Sequence, residues 1–254
     1  QDEEHQDVFY GKPYTSIGYE YDILLAWASG IDGFVVEWYG QTGDPLNPSS
    51  QRLLNLLETA HDMNESYEES GFRFEIIAVQ HENAVGTWEE NFEFLADSVL
   101  QRPAYWGRKD DSFAPLFVFH NEQTALEPKM ISELAEQLLP DFVYLGWNEG
   151  YDLSVFEYLD LLYPWVQPMN REYDTESGLL WGDQYLDFEY NNMNSMPDNA
   201  DILFSIGAVW PGYDDGSTGQ RRFMDARDTL VYQKTWEKVL ADRKSTRLNS
   251  SHYS

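Results

Sequence analysis

The sequence predicts an α/β protein, specifically an incomplete (β/α)8 barrel with about seven strands present and the eighth missing. Three observations predict it. Short runs rich in β-branched and aromatic residues recur about every thirty to forty residues, each too short for a core helix and continuous enough for a strand buried on both faces. Stretches with helical periodicity lie between them, and unbroken strand–helix alternation argues for a parallel sheet with helical crossovers. The glycine-rich turn of a dinucleotide-binding open sheet, G-x-G-x-x-G, and the Walker-type loop are both absent, which favours the barrel over a doubly wound sheet.

The elements follow in order. Strands are expected at Gly33–Glu37, Phe74–Gln80, Leu116–Phe119, Phe142–Gly146 and Ile202–Ile206, with weaker candidates at Ser16–Tyr19 and Trp165–Gln167. A helix is expected over Tyr21–Ser29, with Ile23, Leu24, Ala26 and Trp27 apolar and Gly30 as its C-terminal stop. Over Gln51–Glu69 a stripe of Leu53, Leu54, Leu56, Leu57, Ala60 and Met63 marks a second. Thr87 with Glu90 reads as a capping box opening a helix that runs to Leu100. Pro128 suits the first turn of a helix carrying Ile131, Leu134, Ala135 and Leu138. The last helix is expected over Arg221–Leu240.

Composition narrows the function. The chain has 254 residues, 45 acidic against 16 basic, and no cysteine. A disulfide-stapled module and a cysteine-ligated zinc domain are therefore excluded. Nucleic-acid binding needs clustered Lys and Arg to neutralise phosphates, so no nucleic-acid partner is expected. No apolar run reaches the roughly 18–20 residues of a membrane span. The 42% hydrophobic content suffices for a packed core.

At the termini, the chain opens at Gln1 with no basic and apolar leader pattern. Its localisation stays open, a secreted or periplasmic site being compatible. Asp242–His252 reads Asp-Arg-Lys-Ser-Thr-Arg-Leu-Asn-Ser-Ser-His, which resembles the translation of a sequencing-library adapter. The expectation is a barrel domain over residues 1–241, cut before its last strand, followed by a foreign tail over 242–254.

The strand ends carry the chemistry. The first strong strand ends Glu37-Trp38-Tyr39-Gly40, the next His81-Glu82-Asn83, the next His120-Asn121-Glu122, then Trp147-Asn148-Glu149 and Trp210-Pro211-Gly212-Tyr213-Asp214-Asp215. Each carries a carboxylate, often beside an aromatic ring, His or Asn. Such acids also cap helices, but five in succession point to a shared mouth, because parallel strands open their C-terminal ends on one face. Aromatic faces stack on the C–H faces of sugars while carboxylates and amides bond hydroxyls. Glycoside hydrolysis typically needs two carboxyl groups across the scissile bond. His81 and His120 read equally as hydroxyl donors and as structural histidines. Asp214-Asp215-Gly216 lacks the alternating oxygen ligands of a calcium loop, so no metal and no cofactor are expected.

These residues carry a resemblance. Ile17-Gly-Tyr-Glu-Tyr-Asp22 and Ala28-Ser-Gly-Ile-Asp-Gly-Phe-Val-Val-Glu-Trp-Tyr-Gly40 resemble the opening of glycoside hydrolase families 99 and 71. Val79-Gln-His-Glu82, Arg102-Pro-Ala-Tyr-Trp106, Ala114-Pro-Leu-Phe-Val-Phe119 and Trp210-Pro-Gly-Tyr-Asp-Asp215 are similar to later strand regions of that group. The resemblance covers most of residues 15–240. It implies a (β/α)8 barrel cleaving O-glycosidic bonds of an α-linked mannan or glucan. It further implies Glu82 as a sugar-contacting acid and Tyr19 or Tyr21 as lining residues. The family's catalytic motif on the eighth strand, resembling Asn-Glu-Trp-x-Glu, has no counterpart after Tyr213; Asn148-Glu149-Gly150 only echoes it. The catalytic pair therefore stays open, with Glu82, Glu122 and Glu149 as candidates, and the chain itself is expected to be inactive. The expected partner is an oligo- or polysaccharide. Glu37, Trp38, His81, His120, Asn121, Trp147, Asn148, Trp210, Tyr213 and Asp214 complete the candidate binding set. A non-catalytic carbohydrate-binding barrel and a polysaccharide-biosynthesis protein are the alternatives.

Overall fold

The computed structural model describes residues 14–41, 49–107, 113–119, 127–148, 158, 160–163, 204–205, 213–214, 223–224, 233 and 236–237. The chain divides into two units. One comprises Gln1–Trp147 with Tyr158–Leu161, the other Asn148–Glu157 with Leu162–Ser254.

The first unit is α/β. Its elements run α1 (Tyr14–Ala28), β1 (Gly33–Gly40), α2 (Ser49–Ser66), β2 (Glu75–Val85), α3 (Trp88–Phe94), β3 (Ala114–Phe119), α4 (Pro128–Leu138) and β4 (Val143–Trp147), and Leu161, the first residue of the two-residue β5 (Leu161–Leu162), follows beside β4. The strands lie in chain order and run parallel. This is the repeating strand–helix–strand unit that the alternation predicts.

The four stronger strands expected in this unit form. β3 is buried from Ala114 to Val118. α2 turns Leu53, Leu56, Leu57, Ala60 and Met63 inward, and the heptad-like stripe seats it on β1 and β2. α3 opens on the expected box. Glu90 N–H donates to Thr87 Oγ1 at 3.2 Å, and Thr87 N–H donates to Glu90 Oε2 at 3.0 Å. Its register then loosens into a π-helical turn, Leu95–Val99, before Leu100. α4 begins at Pro128, where the missing N–H costs no helical bond.

Two side chains act as pieces of backbone ladder. Asn64, near the end of α2, donates to Phe74 C=O at 2.9 Å and accepts from Phe74 N–H at 2.7 Å, clamping the chain as it enters β2. Tyr105 sits wholly buried between β2 and β3. Its hydroxyl donates to Pro115 C=O at 2.6 Å and accepts from Ala78 N–H at 3.3 Å. The backbone around it bridges to Ile76, so β2 and β3 pair directly only from Val79 onward. The hydroxyl spans the gap where they splay.

Several expectations are corrected. Ser16–Tyr19 is not a strand but the first turns of α1. Once a helix has nucleated over Ile23 and Ala26, both buried, extending it by a turn is cheap, and Gly18 has open space around it. The second helix stops at Ser66 rather than Glu69, and Glu68–Ser70 form a 3-10 turn closed by Gly71 in the left-handed region. The strand candidate Trp165–Gln167 and the tail over 242–254 lie outside the described residues.

In the second unit the described segments are short. They are β6 (Phe204–Ser205), and β7 (Tyr213–Asp214) paired antiparallel with β8 (Phe223–Met224). The helix expected from Arg221 therefore does not begin there. Asp214-Asp215-Gly216 is a turn sequence, and the chain beyond it pairs back on β7 before Gln233, Trp236 and Glu237 take up helix. No described helix is long and apolar enough to cross a membrane.

Candidate functional site

Successive strand residues point to opposite faces, and the register sorts the C-terminal ends of β1–β4. Trp38, Gln80, Val118 and Trp147 align in one row, on the face covered by helices. Glu37, Val79, Phe117 and Gly146 form the row before it, on the opposite face. Gly146 is required there: a Cβ would collide with the Phe117 ring.

The second face carries a compact group. The Tyr39 ring stacks on the His81 imidazole, centroids 4.6 Å apart, and the other side of the imidazole stacks on Phe119 at 4.8 Å. The three rings thus form a ladder across β1, β2 and β3. Beside it, Glu37 Oε1 lies 3.5 Å from His81 Nε2. Partial burial first, then the hydrogen-bonding influence and charge of the Glu37 carboxylate, push the Tyr39 hydroxyl up to about 12, so it remains a donor throughout the neutral range. The far side of the ladder is open, with Tyr39 40% exposed.

β1 ends at Gly40 for a steric reason. Its φ is 85°, and a Cβ would collide with the Val85 carbonyl oxygen. The close approach shifts the register between Trp38 and Gly40. The Gly40 carbonyl then accepts from Ser49 Oγ at 2.9 Å and Ser50 Oγ at 3.2 Å, tying the edge to the start of α2.

The sequence candidates are distributed as follows. Glu37 and His81 are brought together. Trp38 is not with them: it is fully buried, donates from Nε1 to Ser50 Oγ at 3.1 Å and stacks on Phe94. Strand alternation puts it opposite its two neighbours. Trp147 shares its row and is buried, and Asn148 is buried as well. Tyr19 and Tyr21 ride on α1, where Tyr21 is exposed. Burial raises the Tyr19 hydroxyl, Arg52 offsets this, and Asp22 adds to it; these helix residues, not the ladder, are its charged neighbours. Glu82 belongs to β2, but its side chain lies outside the described set. His120, Asn121, Glu122, Glu149 and Trp210 are also outside it, and of Tyr213 and Asp214 only the β7 pairing is described.

Tyr39, Phe119 and the Asn83 amide, which bonds His81 Nδ1 at 3.0 Å, were missed as site residues. A period-two reading from Glu37 would have selected Tyr39 over Trp38. Among the described residues no group of three or more His, Asp or Glu side chains is placed to hold a metal ion.

No protein-family model matches the chain, and no curated protein matches it.

Proposed function

We propose that the protein is a carbohydrate-active (β/α)8-barrel protein, a glycoside hydrolase of family-99/71 type acting on O-glycosidic bonds of an α-linked mannan or glucan. One observation carries the reading. At the C-terminal edge of parallel strands, where α/β proteins bind their ligands, a carboxylate and three stacked rings share one open face. Ring faces suit the C–H faces of a pyranose, and Glu37 suits its hydroxyls. Acetal hydrolysis by two carboxyl groups requires no cofactor. The strand-end acids Glu82, Glu122 and Glu149 are the candidates for that pair, with Glu37 in the binding role.

Calorimetric titration with α-mannan and α-glucan oligosaccharides, followed by an assay of reducing-end release, tests this. Tyr39→Ala is expected to weaken binding about ten-fold, the scale of one aromatic stacking contact. A folded protein that neither binds nor cleaves any member of a broad glycan panel refutes the proposal. The position of Glu37, 3.5 Å from His81 Nε2, favours one second reading, a non-catalytic carbohydrate-binding barrel, because it places the carboxylate as an acceptor. Because this chain is expected to be inactive under the first reading as well, the selecting result is a full-length protein that binds glycans and releases no reducing ends.

A further inference from the structure

Histidine has two distinct ring nitrogens, and the bond made by one sets the role of the other. In β2 the Asn83 amide donates to His81 Nδ1 at 3.0 Å. Nδ1 is therefore the acceptor, and a neutral ring carries its proton on Nε2. Nε2 faces Glu37 Oε1 on the neighbouring strand at 3.5 Å. That is longer than a full hydrogen bond, and an approach of about half an ångström completes it. The ring cannot easily turn over to exchange its edges, because Tyr39 covers one face and Phe119 the other. The His81 side chain is 13% exposed. The lock is built from a backbone amide and two ring faces, so it does not depend on the Asn83 side chain.

Glu37 thus has two donor groups beside it, the Tyr39 hydroxyl and His81 Nε2–H. A carboxylate offers about four lone-pair sites, so two donors leave acceptor capacity unused. The Glu37 side chain is 28% exposed, which leaves that capacity within reach of a ligand.

We infer that His81 is a tautomer-locked positioning residue: its Nε2–H, aimed at Glu37 across the strand pair, holds the carboxylate as a hydrogen-bond acceptor for a ligand hydroxyl. The ligand half of this inference rests on the carbohydrate reading above; the lock rests on the geometry alone. Glu37 in this arrangement serves as an acceptor that orients a sugar.

The test has two arms on the full chain. Long-range proton–nitrogen spectra of ¹⁵N-histidine-labelled protein at neutral pH report the tautomer of each ring, with His81→Gln assigning the signal among the five histidines. The expected result is the Nε2–H form, unchanged in Asn83→Ala. An Nδ1–H form, or rapid averaging of the two, overturns the lock. In the binding arm, His81→Gln keeps a donor near the Nε2 position and stays within about three-fold of wild type. His81→Leu removes the donor and weakens glycan binding about ten- to hundred-fold, the scale of a hydrogen bond to a charged group. His81→Leu binding as tightly as wild type overturns the positioning role. A wild-type chain that shows the Nε2–H form yet binds no glycan overturns the carbohydrate reading, and the ligand hydroxyl with it, while the lock stands.

Discussion

Replacing Tyr105 with Phe removes one oxygen atom and leaves the ring in place. The ring is fully buried, so packing and apolar burial change little. What changes is the splayed joint between β2 and β3. Pro115 C=O loses the donor that reaches it at 2.6 Å, and Ala78 N–H loses the acceptor 3.3 Å away. A buried polar group left without a partner costs about 1–3 kcal/mol. The short bond to Pro115 belongs at the upper part of that range and the long one to Ala78 at the lower, so the pair costs about 2–4 kcal/mol. Against the roughly 5–15 kcal/mol of a typical domain that is a large loss. Urea unfolding followed by tryptophan fluorescence reads it as a lower midpoint at unchanged slope. Tyr67→Phe, at a tyrosine 47% exposed, is the control and should fall within about 0.5 kcal/mol of wild type. A Tyr105→Phe protein as stable as that control would refute the bridging role and mean that the two strands pair without the hydroxyl.

Other predictions follow from the same contacts. Burial raises the Tyr105 hydroxyl above its ordinary value of 10.0, so the unfolded chain loses this proton first. The neutral hydroxyl's contribution is whole below pH 10 and is lost as pH rises beyond it; alkaline titration of stability should fall less steeply in Tyr105→Phe than in wild type. Asn64→Ala breaks both bonds to the Phe74 backbone and should destabilise by about 2–3 kcal/mol, measured by urea midpoint. Gln80 is 1% exposed and its Oε1 has no hydrogen-bond partner among the described residues. Gln80→Leu, of similar shape, should therefore be neutral or stabilising by about 1 kcal/mol; a loss of more than that in the same assay would show that the carbonyl is held after all.

The legible parts of this protein are those whose cause is local. The strand cores at β1–β4 followed from short β-branched and aromatic runs. The start of α3 followed from Thr87 and Glu90, three positions apart, and the start of α4 from Pro128. Glu37 and His81 followed from their places at consecutive strand ends. Trp38 shows where this reading stopped: a tryptophan beside a carboxylate looks like a sugar platform, yet alternation turns it to the helices while Tyr39 takes the open face. The Ser16–Tyr19 stretch failed for a related reason, since so short a run with only Ile17 and Tyr19 as large side chains suits either structure and α1 captured it.

By itself, then, the sequence determined the α/β class, the order of strand and crossover, and the concentration of acids and rings at strand ends. Each of these depends on residues within a few positions of one another. Only the tertiary structure decided that His81 stands between Tyr39 and Phe119 with Glu37 at its Nε2, that Asn64 completes the entry to β2, and that Tyr105 fills the gap between β2 and β3. Those contacts join positions from 10 to 44 residues apart, and no local propensity encodes them. They exist because strand register and helix packing bring distant backbone groups close enough that each buried donor must find an acceptor.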